Sequence, residues 1–210
     1  MNIAIIGAGN VGKALATASV RAGHSVTLSA AHPENAAEAA KAVGAKAARS
    51  NVEAVADAEI VIVAVPYDNL GEVFRGLGSS VDGKVIVDAT NHIDAKNPGE
   101  VIGTTSNAEE IQKRHPNVHV VKAFNYAFAA RQADPEVDGT KLDGFVAGDH
   151  EPSRTKVLEL VRTIGFRPID AGPLVMARVL EGMALLNVTL QIRHQWPWQN
   201  GWKLVGPPND

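Results

Sequence analysis

Asn2-Ile3-Ala4-Ile5-Ile6-Gly7-Ala8-Gly9-Asn10-Val11-Gly12 is the stretch that decides the fold. It reads as a short apolar strand that runs through Gly-x-Gly-x-x-Gly into a helix. Each glycine has its own physical task. Gly7 permits the tight turn off the strand, Gly9 lets the backbone approach a pyrophosphate, and Gly12 lets the helix pack closely on the strand. Free N–H groups and the positive dipole end at the start of the helix attract phosphates. A strand before the glycines and a helix after them is the context that makes the pattern a dinucleotide fingerprint.

The chain beyond Gly12 keeps alternating. An Ala-rich helix over 10–22 stops at Gly23, and Ser25-Val26-Thr27-Leu28-Ser29 is a second strand. Pro33 opens a helix that runs to Gly44. A short third strand is read near Ala45–Ala48 and a short helix at Val52–Ala56. Ile60-Val61-Ile62-Val63-Ala64-Val65 is wholly apolar, as a strand buried on both faces requires, and Pro66 ends it. Val85–Asp88 and His119–Phe124 are further strands. Gly144–Gly148 and Arg167–Asp170 extend the same sheet around a helix at 152–164. The order predicts an α/β, Rossmann-type, doubly wound and mainly parallel sheet. Residues 1–170 are read as the dinucleotide-binding domain and 171–210 as a C-terminal helical segment. That segment is apolar around most of its surface, so it is expected to be buried, either on its own core or in a homodimer.

Composition narrows the function. A net charge of −3 leaves no basic surplus for nucleic acid, and the absence of cysteine excludes disulfides and thiolate chemistry. Neither a signal peptide nor an unbroken membrane-length apolar run is read, so no membrane partner and a cytoplasmic location are expected. The histidines show no paired metal-ligand spacing on a helix, and no metal is expected.

Ligands of such a sheet bind beyond the carboxyl ends of the strands. The residues found there are the glycine loop, Ser29-Ala30-Ala31-His32, Ala64-Val65-Pro66, Asp88-Ala89-Thr90-Asn91-His92 and Ala123-Phe124-Asn125. No acid follows the second strand directly, where NAD sites place one for the ribose 2′-hydroxyl. Ser29, His32 and the helix opening at Pro33 suit a 2′-phosphate, which favours NADP. Asn91 and Asn125 suit either a nicotinamide carboxamide or loop capping. Lys122 reads as the partner of a carboxylate rather than a catalytic lysine, and His92 as a loop residue rather than a proton donor. Trp196, Trp198 and Trp202 read as packing residues or as a stacking wall for a flat ring. No catalytic residue is singled out.

Several blocks occur together in order: the glycine loop, Ala64-Val65-Pro66, Asp88–Asn91, Gly103-Thr104-Thr105-Ser106, Val121-Lys122-Ala123-Phe124-Asn125, Asp170-Ala171-Gly172-Pro173-Leu174 and Lys203-Leu204. Together they resemble the deazaflavin (coenzyme F-420)-dependent NADP oxidoreductase family, and six-transmembrane metalloreductases carry a similar domain. The resemblance implies a reversible hydride transfer between NADP(H) and a deazaflavin ring, with a small-molecule acceptor or donor as the partner. It implies that Gly7, Gly9, Asn10, Val11 and Gly12 hold the pyrophosphate and that Ser29, Ala30, Ala31 and His32 face the 2′-phosphate. It places Ala64, Val65, Pro66, Asn91, Ala123, Phe124 and Asn125 toward the nicotinamide. Ala30-Ala31 replaces the family's Ser-Arg, and Asn91-His92 its Asn-Pro. Reduction of a flavin, a ferric chelate or a small carbonyl or imine is the alternative activity, and a non-catalytic NADP(H) redox sensor the alternative class.

Overall fold

Ile60-Val61-Ile62-Val63 is buried at every position, so both of its faces must be covered. In the computed structural model, which describes residues 1–93 and 104–206, this strand is β4 (Ile60–Val63) and lies between β1 (Asn2–Ile6) and β5 (Val85–Asp88). On the β1 side follow β2 (Ser25–Ser29) and β3 (Lys46–Ala47). On the β5 side follow β6 (His119–Ala123), β9 (Asp143–Gly148) and β10 (Arg167–Gly172). The eight-stranded order is β10-β9-β6-β5-β4-β1-β2-β3. All neighbours are parallel except β6 and β9, so β10 and β9 run against the rest. A separate small hairpin joins β7 (Glu136–Val137) to β8 (Thr140–Lys141).

The strands' period-2 alternation divides the core into two layers. Ile3, Ile5, Ile60, Ile62, Val85 and Val87 pack against α1 (Asn10–Arg21), α2 (Pro33–Val43) and α7 (Glu151–Thr163). Ala4, Ile6, Val61, Val63 and Ile86 face α3 (Asn51–Val55), α4 (Leu70–Leu77) and α5 (Asn107–Arg114). A short helix, α6 (Ala129–Ala133), packs on α1. Both α4 and α6, like the hairpin, go beyond the elements read from the sequence. Of the long loop at 91–103, residues 94–103 lie outside the described residues.

The last helix, α8 (Ala177–His194), is covered on one face only by its own chain. It is not buried all round. Ala177, Leu180, Ala184 and Leu185 face inward, whereas Val179 (53%), Leu186 (50%) and Ile192 (55%) are exposed. The reason is that Asn187 and Gln191 occupy the inner face and find partners there. Leu174–His194 is long and apolar enough to cross a membrane by length and composition alone. Ala177 belongs to one core layer, and Leu180 and Ala184 belong to the other. The helix therefore passes over the end of the sheet. The chain after it returns to the sheet: Asp143 at the start of β9 accepts from Arg167 at 2.6 and 2.7 Å and from Lys203 at 3.3 Å.

At the opposite end of β6, the His119 and His150 rings stack at 3.7 Å. Burial, then the nearby His150, lowers the His119 pKa. The folded state thus binds this proton less readily than the unfolded chain does. The contribution to stability is complete above pH about 6.5 and is lost as pH falls toward the folded value. The midpoint in urea is expected to fall between pH 7 and 5.5, and His119→Phe, which keeps a stacked ring, is expected to flatten that decline. An equal decline in both proteins would contradict the assignment.

Candidate active site

The strand register brings the loops together. Ile6 pairs with Ser29 on one side and Val63 on the other, Val63 pairs with Asp88, and Asp88 pairs with Lys122. Five parallel strands thus end in one row. The next residues, Gly7, Ala30, Ala64 and Ala89, start four loops along one rim, and Phe124, after the last residue of β6, starts the fifth.

Gly7 leaves β1 at φ +113°, and a Cβ there would sit 2.3 Å from the Ala64 carbonyl oxygen. A Cβ on Gly12 would sit 1.8 Å from the Gly7 carbonyl oxygen. Both glycines are therefore required by the protein itself. Gly9 differs, because a Cβ on it meets nothing within 4 Å. The helix it precedes has no side-chain cap. By contrast, Ser50 and Ser106 cap α3 and α5. The first-turn N–H groups of α1 are free of any capping side chain beside an open space, which is what an anion needs.

Gly7, Ala8, Gly9, Ala30, Ala31, His32, Ala64, Val65 and Pro66 line one cleft of about 380 Å³. Lys13, Asn35, Glu38 and Asn69 complete its wall. Asn10 and Val11 form the first turn of α1, and Gly12 is buried beneath the loop. Ser29 corrects the sequence reading: it is fully buried, and its hydroxyl donates to Asn51 Oδ1 at 2.8 Å. It is not among the residues that line the cleft. His32 is exposed and lies 3.5 Å from Glu34. The N-terminus of α2, which follows His32, also has no side-chain cap.

The loops after β5 and β6 are tied to each other. Asn91 Nδ2 donates to the Asn125 carbonyl at 2.7 Å, and Asn125 Nδ2 donates to Asn91 Oδ1 at 2.9 Å and to the Leu180 carbonyl at 3.0 Å. Asn125 Oδ1 is buried and has no partner among the described residues. Ala123 and Phe124 are buried. Phe124 takes φ +68°, a strained conformation for a bulky residue, and its ring turns toward Phe166 in the core. Neither Ala123 nor Phe124 is among the residues that line the cleft of about 380 Å³. The His92 ring stacks on Tyr67 at 4.5 Å, as a loop-packing residue does. Trp198 packs edge-on against Phe128 at 5.2 Å, and Trp202 packs against the core.

Behind these loops Lys122 is fully buried, 2.8 Å from Asp88 Oδ2 and 2.6 Å from Glu181 Oε1. Burial pushes the Glu181 carboxyl above the usual carboxylate range, although Lys122 pulls it down.

Residues 2–92 match the model of the family described as NADP oxidoreductase, coenzyme F420-dependent. The F420-dependent NADP reductase of Methanothermobacter marburgensis is 30% identical over 213 residues, covering 93% of this chain and 94% of the relative. The chain belongs to the coenzyme F420-dependent NADP oxidoreductase family. A crystal structure assigned as an F420-dependent NADP-reductase of Arthrobacter sp. FB24 superposes with a TM-score of 0.86 at 25% identity, covering 97% of this chain and 99% of that one. Metalloreductase STEAP3 of Rattus norvegicus is 32% identical over 184 residues, which is 87% of this chain. The chain spans 36% of that protein's length.

In this member of the family, the sequence reading missed the cleft residues Lys13, Asn35 and Glu38. The available signal for Lys13 was its place in the first turn of α1, one residue past the last motif glycine. Glu181 was missed because 59 residues separate it from Lys122.

Proposed function

We propose that this chain transfers a hydride between NADP(H), held at the glycine loop, and the deazaflavin ring of coenzyme F420. The carrying observation is the open space at Gly9 beside the uncapped start of α1. The F420-dependent reductases, aligned along nearly their full length, support the acceptor. A bound nicotinamide supplies the carbon that gives up or takes the hydride. The chain orients the two partners and excludes water, which suffices when both reacting carbons belong to cofactors.

Gly7, Gly9, Asn10, Val11 and Gly12 form the pyrophosphate cradle in this reading. Ala64, Val65 and Pro66 border the path to the nicotinamide, and Asn91 and Asn125 shape its far end. The partnerless Asn125 Oδ1 fits a carboxamide N–H donor. The segment 171–210 acts as a wall of the crevice rather than as a separate domain, because Leu180 accepts from Asn125. The apolar residues that α8 leaves exposed support a homodimer through this helix. Sedimentation of the wild type against Leu186→Glu tests that reading, with a monomeric variant expected.

With Ser29 turned inward, the 2′-phosphate falls to Lys13, His32, Asn35 and the uncapped start of α2. Lys13→Met is expected to weaken NADPH binding about tenfold, the value of one charge-assisted hydrogen bond, and to leave NADH within about twofold. Fluorescence titration with both nucleotides checks it. An equal loss for both would place Lys13 at the pyrophosphate instead.

The acceptor is tested by mixing the protein and NADPH with coenzyme F420, FMN, FAD or a ferric chelate and following NADPH absorbance. Fastest loss with F420 supports the proposal. Fastest loss with a ferric chelate favours the second reading, which the metalloreductase similarity motivates. Tight NADPH binding with no turnover favours a redox sensor.

A further inference from the structure

The buried group behind the loops does more than join strands, and the inference from it rests on the hydride-transfer reading above. Lys122 Nζ has three N–H donors and three acceptors: Asp88 Oδ2 at 2.8 Å, the Thr90 carbonyl at 2.7 Å and Glu181 Oε1 at 2.6 Å. Asp88 Oδ1 in turn accepts from the Thr90 N–H at 2.9 Å and its hydroxyl at 2.7 Å. Asn107 at the start of α5 donates its backbone N–H to Glu181 at 2.9 Å and its side chain to Thr90 at 3.1 Å.

Two neighbouring residues of α8 therefore hold both loops of the nicotinamide end. Glu181 reaches Thr90 through Lys122 and Asn107, and Leu180 accepts from Asn125, which holds Asn91. One lysine faces two carboxylates in a buried setting, an expensive arrangement that an apolar cluster would replace at lower cost. What an apolar cluster lacks is direction. Hydrogen bonds fix the place of Thr90 and the orientation of Asn91, and shape packing alone does neither.

We propose that Glu181 is a positioning residue for hydride transfer. It touches no reacting atom. It sets the loop 89–91 from α8, and misplacement of such a loop by about 1 Å costs on the order of 100-fold in rate. The pyrophosphate cradle on β1 and α1 is built independently of it.

The test uses Glu181→Leu, which leaves Lys122 and Asp88 as a balanced pair, beside Glu181→Gln, which keeps an acceptor for Lys122. For Glu181→Leu the NADPH dissociation constant is expected within about threefold of wild type, and single-turnover hydride transfer at least about tenfold slower. Glu181→Gln is expected to recover most of the lost rate. In the nucleotide-free proteins, amide hydrogen exchange at 89–91 is expected to accelerate in Glu181→Leu and not in Glu181→Gln. Wild-type transfer by Glu181→Leu, or unchanged exchange at 89–91, would overturn the proposal. Should the wild type itself fail to oxidise NADPH with any acceptor, the functional reading fails, and the exchange measurement still decides whether Glu181 sets the loop.

Discussion

Gly9→Ala is expected to fold as well as the wild type and to lose NADPH. The backbone at Gly9 has φ −76°, which alanine adopts without strain, and the added Cβ meets no protein atom within 4 Å. The space that the methyl enters is where a pyrophosphate must lie against the start of α1. NADPH affinity should fall about 100-fold, equivalent to roughly 2.7 kcal/mol, while the melting temperature stays within about 2 °C. Gly12→Ala is expected to behave in the opposite way. Its Cβ would sit 1.8 Å from the Gly7 carbonyl oxygen, so α1 must move off β1. Overpacking of this kind costs about 3 kcal/mol, or roughly 6–12 °C in a domain of this size. Calorimetric titration and melting of the two proteins separate a ligand glycine from a packing glycine. A Gly9→Ala protein that binds NADPH like wild type would remove the pyrophosphate from this loop.

Lys122→Met carries the largest expected stability loss. The substitution leaves the side chains of Asp88 and Glu181 facing each other across an apolar group, with Asp88 fully buried. Removing one partner of a buried ion pair costs about 3–5 kcal/mol, because the remaining charge cannot reach water. Urea unfolding at pH 7 should show this loss. The deficit should shrink toward pH 5. Burial already holds the Glu181 carboxyl above its unfolded value and Lys122 is what pulls it down, so without Lys122 this group contributes stability only at low pH and loses it as pH rises. A deficit that does not change with pH would mean that Lys122 acts through packing of its stem.

The parts of the fold that were legible in the sequence are those set by local pattern. Ile60–Val63 has a β-branched residue at each position, and Pro33 and Gly44 bracket α2. The misread residues were set by contacts between distant segments. Ser29 stands at the end of a strand beside the cofactor cleft, yet Asn51 takes its hydroxyl. Phe124 follows β6 directly, yet its left-handed backbone turns the ring into the core. The composition of α8 reads as apolar all round, yet its polar Asn187 and Gln191 are buried while Val179, Leu186 and Ile192 stand exposed, a placement set by what each face of the helix packs against. The carboxylate partner expected for Lys122 was found twice, once on the neighbouring strand and once on α8.

Transfer of label from NADPH carrying deuterium at both nicotinamide C4 positions to oxidised coenzyme F420 is the most direct test of direct hydride transfer in this cleft. The account predicts that mass spectrometry finds the deuterium on the reduced deazaflavin ring, with transfer by Gly9→Ala much slower at the same NADPH concentration. Reduced F420 without label, or no reduction of F420 by a protein that binds NADPH tightly, would contradict it.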